Sequence, residues 1–338
     1  MELATELAAK CERGDRRSAS RLISLLESGD RAIAHAASAA VSRLPLPRQT
    51  IGITGPPGAG KSTLIDYLVS LYRARQEKIA VLAIDPSSPF TGGALLGDRI
   101  RMASSRNDSD VFIRSMGNRG ASGGLAAAAS DTLRVLGASG HAIVLLETIG
   151  AGQAETEIVN LADTVCLVQV PGLGDDVQLM KMGALEIADI FIVNKGDKPG
   201  ADELKLQLEM AVQDNTEKSS RVLRQLGREF AAAYKGPPWQ APVLVLSAVQ
   251  RQGGPALLEA CDRHAQFLDQ PALSHALKRS RLQRELLWRA GMSFQDLLQQ
   301  QLAPNGSRAG LIDDCLSGKQ TLGQAVARIV GEIAGGQP

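Results

Sequence analysis

The sequence predicts an α/β fold with a mainly parallel sheet covered by helices on both faces, and three observations carry that prediction. Seven apolar runs of strand length alternate with helical segments between residues 48 and 270. Runs apolar on both sides belong to strands buried on both faces, the environment of a parallel sheet. The first run opens into Gly55-Pro56-Pro57-Gly58-Ala59-Gly60-Lys61-Ser62, a glycine-rich loop between a strand and an amphipathic helix. Outside the core, both ends of the chain show only helical spacing.

In chain order, residues 1–47 form an N-terminal helical extension. Leu3, Leu7, Leu22, Ile23, Leu25 and Leu26 recur at helical spacing, Gly14 and Gly29 punctuate, and Pro45 and Pro47 close the segment. The core, residues 48–270, contains the strands Thr50–Ile53, Ile79–Ile84, Val111–Ile113, Ala142–Leu146, Thr164–Val170, Ile190–Val193 and Val243–Leu246. A ligand of such a sheet sits at the carboxyl ends of its strands. Residues 271–338 form a C-terminal helical region whose first long helix is charged and carries an apolar stripe from Leu277 to Leu302. Leu282, Leu286, Leu287, Met292, Leu297 and Leu298 there, with Leu311, Ile312, Leu316, Leu322, Val326, Ile329, Val330 and Ile333 beyond, exceed what one peripheral helix needs to close a domain. That surplus predicts a homodimer through the C-terminal helices, the other reading being a tail folded back onto its own sheet.

Composition narrows the class. The 338 residues include 37 basic and 36 acidic ones, a net charge of +1, which speaks against a strongly electrostatic nucleic-acid binder. Cys11, Cys166, Cys261 and Cys315 lie far apart without metal-ligand spacing and read as reduced thiols. There is no signal-peptide pattern at the start and no apolar run long enough to span a membrane, so the expectation is a cytoplasmic enzyme.

The glycine-rich loop is a phosphate-binding loop of the P-loop NTPase type. Gly55, Gly58, Ala59 and Gly60 let backbone N–H groups turn inward around the β-phosphate, with Lys61 reaching the β/γ-phosphates. The Ser62 hydroxyl is a ligand for Mg²⁺, and Thr63 follows it at the helix N-terminus, which favours anions. Asn194-Lys195-Gly196-Asp197, at the end of an apolar strand, identifies the base as guanine. A carboxylate at Asp197 accepts from both N1–H and the exocyclic amine of guanine, whereas adenine leaves it unpaired. Asn194 is expected to tie this loop to the phosphate loop, the Lys195 stem to lie along the base, and Ser247-Ala248 to complete the guanine contacts.

Hydrolysis and switching require a carboxylate and a mobile glycine near the γ-phosphate. Glu147-Thr148-Ile149-Gly150 supplies both: Glu147 for a magnesium water, the Gly150 N–H for the γ-phosphate. Asp85 and Asp98 fit the same metal shell, although Mg²⁺ needs few protein ligands. For Asp85 a turn or helix-capping role before Pro86 stays open, and for Asp98 a surface position. Lys61, Asp85 and Glu147 form the candidate catalytic set, with GTP/GDP and Mg²⁺ as cofactors. No Gln follows Gly150, so slow intrinsic hydrolysis is expected.

Together Lys61-Ser62, Asp85-Pro86-Ser87-Ser88, Gly97-Asp98-Arg99-Ile100-Arg101-Met102, Glu147-Thr148-Ile149-Gly150-Ala151-Gly152-Gln153 and Asn194-Lys195-Gly196-Asp197 resemble the MeaB/ArgK family of G-protein metallochaperones, over nearly the whole chain. The resemblance implies a GTPase that associates with an adenosylcobalamin-dependent acyl-CoA mutase, gates cofactor delivery and protects or reactivates the mutase. It also implies stimulation by the partner and leaves an adenosyltransferase open as a second partner. In the family, Gly172-Leu173-Gly174-Asp175-Asp176-Val177-Gln178 looks like a third switch; its other reading is a loop capping the next helix. The competing classes are a GTP- or ATP-dependent phosphotransferase, for which no acceptor pocket is evident, and a nickel-delivery GTPase. His35, His141, His264 and His275 are too scattered to favour the latter.

Overall fold

A computed structural model of the chain describes residues 2–85, 108–117, 124–148, 158–172, 184–216 and 220–335. Three short helices come first: α1 (Glu2–Cys11), α2 (Arg16–Leu26) and α3 (Arg31–Val41). Gly14 turns the chain out of α1 at φ 82°. Asp15 caps α2, accepting from the Arg17 N–H at 3.1 Å and the Ser18 hydroxyl at 2.6 Å. Asp30 caps α3 in the same way, accepting from Ala32 and Ile33 N–H. Each such cap satisfies backbone donors left over at a helix start.

Seven strands follow: β1 (Gln49–Thr54), β2 (Ile79–Asp85), β3 (Val111–Gly117), β4 (Ile143–Thr148), β5 (Thr164–Gln169), β6 (Ile190–Val193) and β7 (Val243–Val245). They form one sheet in the order β3-β2-β4-β1-β5-β6-β7, and every pair is parallel. The sequence suggests only Val111–Ile113 as β3, because Arg114 and Ser115 end the apolar run. The strand continues to Gly117, since β2 offers it seven register partners, from Ile79↔Val111 to Asp85↔Gly117. From β1 the chain winds out to β2 and β3, returns to β4, and then crosses to β5, β6 and β7 on the other side. That divergence leaves a crevice at the carboxyl end of β1.

The helices between strands are α4 (Lys61–Ala74), α5 (Gly124–Ala138), α6 (Ala184–Ile187), α7 (Ala201–Thr216), α8 (Arg221–Leu226) and α9 (Arg228–Ala233), and α10 (Gly254–Leu268) follows β7. Alternation along β1 sends its residues to two cores. Ile51 and Ile53 join Leu64, Leu68 and Tyr72 of α4 and Leu257 of α10. On the opposite face, Leu22, Ile23 and Val41 from the leading helices pack with Phe112, Leu136, Leu146 and Ile158. Gly52 faces this second layer, where an added Cβ would stand 2.8 Å from Ile158. All four cysteines are free thiols, three of them buried.

The chain divides into two units at Ser280/Arg281. The long helix α11 (Pro271–Leu302) starts in the first, where Leu273 is buried with Val222, Leu223 and Phe267. The second contains the rest of α11, α12 (Gly310–Leu316) and α13 (Leu322–Gly335). Leu311, Ala325 and Ile329 are buried there, and Arg308 pairs with Glu332 at 2.9 Å. Among the described residues, no helix is long and apolar enough to cross a membrane.

Candidate nucleotide site

The phosphate loop leaves β1 through Gly55, whose φ of 142° and tight surroundings both require glycine. A Cβ at Gly55 would fall 2.2 Å from the Val168 carbonyl oxygen of β5. The loop ends at Gly60, in the left-handed region at φ 85°, which caps α4 without a side chain. Lys61 is the first residue of that helix, and its ammonium donates back into the loop, to the carbonyl oxygens of Gly55 at 2.7 Å and Pro56 at 3.2 Å. The cation therefore sits inside the turn of backbone where a phosphate's charge would be met. The Ser62 hydroxyl donates to Glu147 Oε1 at 2.6 Å. Glu147, only 3% exposed, is placed near the end of β4, in register with Ile53 of β1 and Ala83 of β2. Thr63 follows on the exposed side of the helix.

Asp85 is the last residue of β2, one strand beyond β4. Its side chain, together with all of Asp98, Gly150 and the Asp175–Gln178 stretch, lies outside the described residues.

The Asn194–Asp197 segment, the candidate for base reading, is tied to the glycine-rich loop by direct hydrogen bonds. Asn194, 2% exposed, donates from Nδ2 to the Ala59 carbonyl at 2.8 Å and accepts at Oδ1 from the Ala248 N–H at 3.1 Å. Its own N–H donates to Gln169 of β5 at 2.8 Å. Lys195 adopts φ 59°, unusual for a residue with a Cβ, and its ammonium donates to the Gly58 carbonyl at 2.8 Å. Gly196 presses on β7, where a Cβ would meet Val245 at 2.5 Å. Asp197 Oδ1 accepts from the Ser247 hydroxyl at 2.6 Å, and this bond holds its carboxyl below the usual carboxylate range. The carboxylate is thus ionised and oriented, as an acceptor for two donors must be.

The structure adds residues that the sequence does not single out. The Tyr67 hydroxyl of α4 donates to the Arg251 carbonyl at 2.6 Å, and the Arg251 guanidinium lies 5.8 Å from the Tyr67 ring centroid. Arg251 itself is held at φ 54°, with Ser70 and Asp66 of α4 as further partners. Helix α4 therefore follows the glycine-rich loop at its start and, about two turns on, supports the loop after Ser247-Ala248. The left-handed backbone at Arg251 has no local sequence signal, because Tyr67 lies 184 residues away.

Compared with known proteins, residues 19–305 match the family described as methylmalonyl Co-A mutase-associated GTPase MeaB. The chain belongs to the MeaB family. A Pyrococcus abyssi protein designated a GTPase is 44% identical over 281 residues, spanning 83% of this chain and 82% of its own length. GTPase ArgK of Escherichia coli is 36% identical over 203 residues, 60% of this chain and 57% of that protein. The mouse methylmalonic aciduria type A homolog, named as mitochondrial, is 29% identical over 254 residues, 74% of this chain and 56% of that protein. In fold, the chain matches the crystal structure of a LAO/AO transport system kinase with a TM-score of 0.65 at 24% identity, covering 99% and 98% of the two chains. The family resemblance carried by the Asp-Pro-Ser-Ser and Glu-Thr-x-Gly-x-Gly-Gln stretches agrees with this membership. MeaB membership makes the chain one of a family of GTPases, with the P-loop NTPase fold.

Proposed function

We propose that this MeaB-family chain is a GTP-hydrolysing G-protein chaperone of an adenosylcobalamin-dependent acyl-CoA mutase, working in the cytoplasm as a homodimer. The observation that carries the nucleotide part is the stapling of one loop to another: Asn194 and Lys195 donate to Ala59 and Gly58, so base and phosphate recognition form one rigid unit. In that unit Asp197 reads the guanine donors, with Ser247 orienting it and Ala248 fixed by Asn194. On binding, the Lys61 ammonium exchanges the Gly55 and Pro56 carbonyls for phosphate oxygens, and the loop's N–H groups take the remaining charge. Binding energy from the base thereby holds the phosphates in position for attack by water.

The residues present fit a magnesium ion. Ser62 Oγ and Glu147 Oε1 stand 2.6 Å apart, a hydroxyl and a carboxylate oxygen on the γ-phosphate side of the loop. Hard oxygen donors in small number are what Mg²⁺ takes from a protein, the remaining positions going to water and phosphate. Ser62 and Glu147 would hold it, with Asp85 and Asp98 as further candidates, and bound Mg²⁺ supplies neutralisation of the charge developing on the phosphates.

The mutase as partner is supported by the family description, which names a methylmalonyl Co-A mutase-associated GTPase. The dimer is supported by the apolar residues left on the second unit: Leu286 is 70% and Leu316 81% exposed, with Leu282, Leu287, Leu322, Val326 and Val330 also open. Side-by-side turnover of GTP and ATP, with and without an added adenosylcobalamin-dependent acyl-CoA mutase, tests the whole reading. GTP preference and faster hydrolysis with the mutase are expected. Equal use of ATP, or turnover only in proportion to an added acceptor, would replace it by a phosphotransferase.

A further inference from the structure

An open cleft of about 860 Å³ lies between α2 and β3, and no residue of the nucleotide site lines it. Arg16, Arg17 and Arg21 of α2 and Arg114 of β3 line it, with Ser20 and Ser24 between them and Asp15 at its edge. The acids nearby offset this charge only in part: the carboxyl of Glu6 on α1 is held below the usual carboxylate range first by Lys10 and only weakly by Arg21. Asp15 is occupied as the α2 cap. Glu27, 2% exposed, is buried against Arg114 in an ion pair. That pair, with a bond from Arg114 to the Ser24 hydroxyl at 3.1 Å, fixes the Arg114 fork in one orientation. Arg16 is fixed by other means, over the Phe112 ring at 5.5 Å and against the carbonyls of Asp108 and Ser109.

Arg17 and Arg21 are different. Both are exposed, and among the described residues neither side chain makes an ion pair. They stand four residues apart on one helix face, so their like charges repel. An anion laid across the two removes that repulsion and gains the forked bonds that guanidinium groups make with carboxylates.

We propose that this cleft docks an acidic segment of a partner protein, with its carboxylates on Arg17 and Arg21 and the fixed Arg16 and Arg114 as the wall. A protein segment is favoured over a small molecule because small-molecule sites are enclosed, whereas this cleft is open and every residue lining it carries a charge or a hydroxyl. Nucleic acid is disfavoured by the confinement of the positive charge to one helix and one strand in a chain of net charge +1. The surface is independent of the GTPase reading and stands or falls separately from it.

The test is fluorescence anisotropy of labelled hexaglutamate with the full chain in low salt. Arg17→Gln/Arg21→Gln and Arg17→Glu/Arg21→Glu are compared with Arg43→Glu/Lys235→Glu, which makes the same change in net charge as the second on other exposed positions. Binding is expected to weaken tenfold or more, about 1.4 kcal/mol, in both cleft variants and to stay within about twofold in the control. The Gln variant is further expected to melt at or above the parent's temperature, because removing the repulsion relieves α2 while binding is lost. No binding by the parent, equal weakening in the control, or retained binding in a folded Gln variant overturns the proposal. Inorganic pyrophosphate binding the cleft more tightly than hexaglutamate overturns it in favour of a phosphate ligand.

Discussion

Ser62 and Glu147, 85 residues apart in the chain, share a hydrogen bond of 2.6 Å from hydroxyl to carboxylate. It joins the first turn of α4 to the end of β4, so the helix carrying the phosphate loop and the strand leading to Gly150 are held at the point where the γ-phosphate and its metal would act. Ser62→Ala and Glu147→Gln should therefore lower magnesium-dependent GTP hydrolysis about tenfold or more while changing GDP affinity less, because the γ-phosphate carries the differential interaction. Asp98→Asn belongs in the same series. Parallel single-turnover and GDP-binding measurements decide it; equal losses in both would mean general damage to the fold.

Asp197→Asn should weaken GTP binding and favour xanthosine triphosphate, whose changed edge suits an amide. The preorganising Ser247 hydroxyl remains, so the ratio of the two affinities should move by about tenfold or more. An unchanged ratio in competition binding removes Asp197 from the base site.

Gly60→Ala places a Cβ 2.6 Å from Asn194 Nδ2 and forces an alanine into φ 85°. Either effect alone strains the loop by about 1 kcal/mol or more. Because Asn194 is the staple between the two loops, GTP and GDP should lose affinity together. Calorimetric titration showing undisturbed binding of both nucleotides by this variant would contradict the rigid-unit reading.

His264 and His141 are both buried, and burial pushes each pKa down to about 4. In the unfolded chain both revert to about 6.5, so below that pH the unfolded state takes up protons that the folded state refuses. Stability is then fully present above pH 6.5 and is lost as pH falls toward 4, with a slope near 1.4 kcal/mol per pH unit for each histidine. Urea unfolding between pH 7.5 and 5 should show it, and His141→Gln should reduce the slope by about one proton. A flat profile over that range would show that these groups titrate alike in both states.

Removal of the C-terminal helices tests the proposed dimer. A cut before Pro271 would also take away Leu273, which is buried against Val222 and Phe267, so the chain is better ended after Ser280. Light scattering should then report a monomer that still binds GTP. A shortened chain that remains dimeric places the interface elsewhere.

Residues 55–62 and 194–197 and the strand runs were legible in the sequence because their signals are local. A glycine loop with Lys-Ser, an apolar run of three to seven residues and an Asn-Lys-x-Asp at a strand end each announce themselves within a short window. The capping acids Asp15 and Asp30 lie in equally short windows but depend on backbone angles that many loops satisfy. Only the tertiary structure decided which of these pieces meet. The sheet order sets β4 and β5 on either side of β1 and β6 beyond β5, and that order brings about the Ser62–Glu147 bond, the 2.2 Å approach that reserves position 55 for glycine, and the hold of Asn194 on Ala59. The same holds for the length of β3, which its neighbour's register carries through Arg114 to Gly117, and for Tyr67 beneath Arg251. Contacts between segments so far apart leave no periodicity in either one, because each segment's composition answers to its own burial and not to the partner that the fold brings to it.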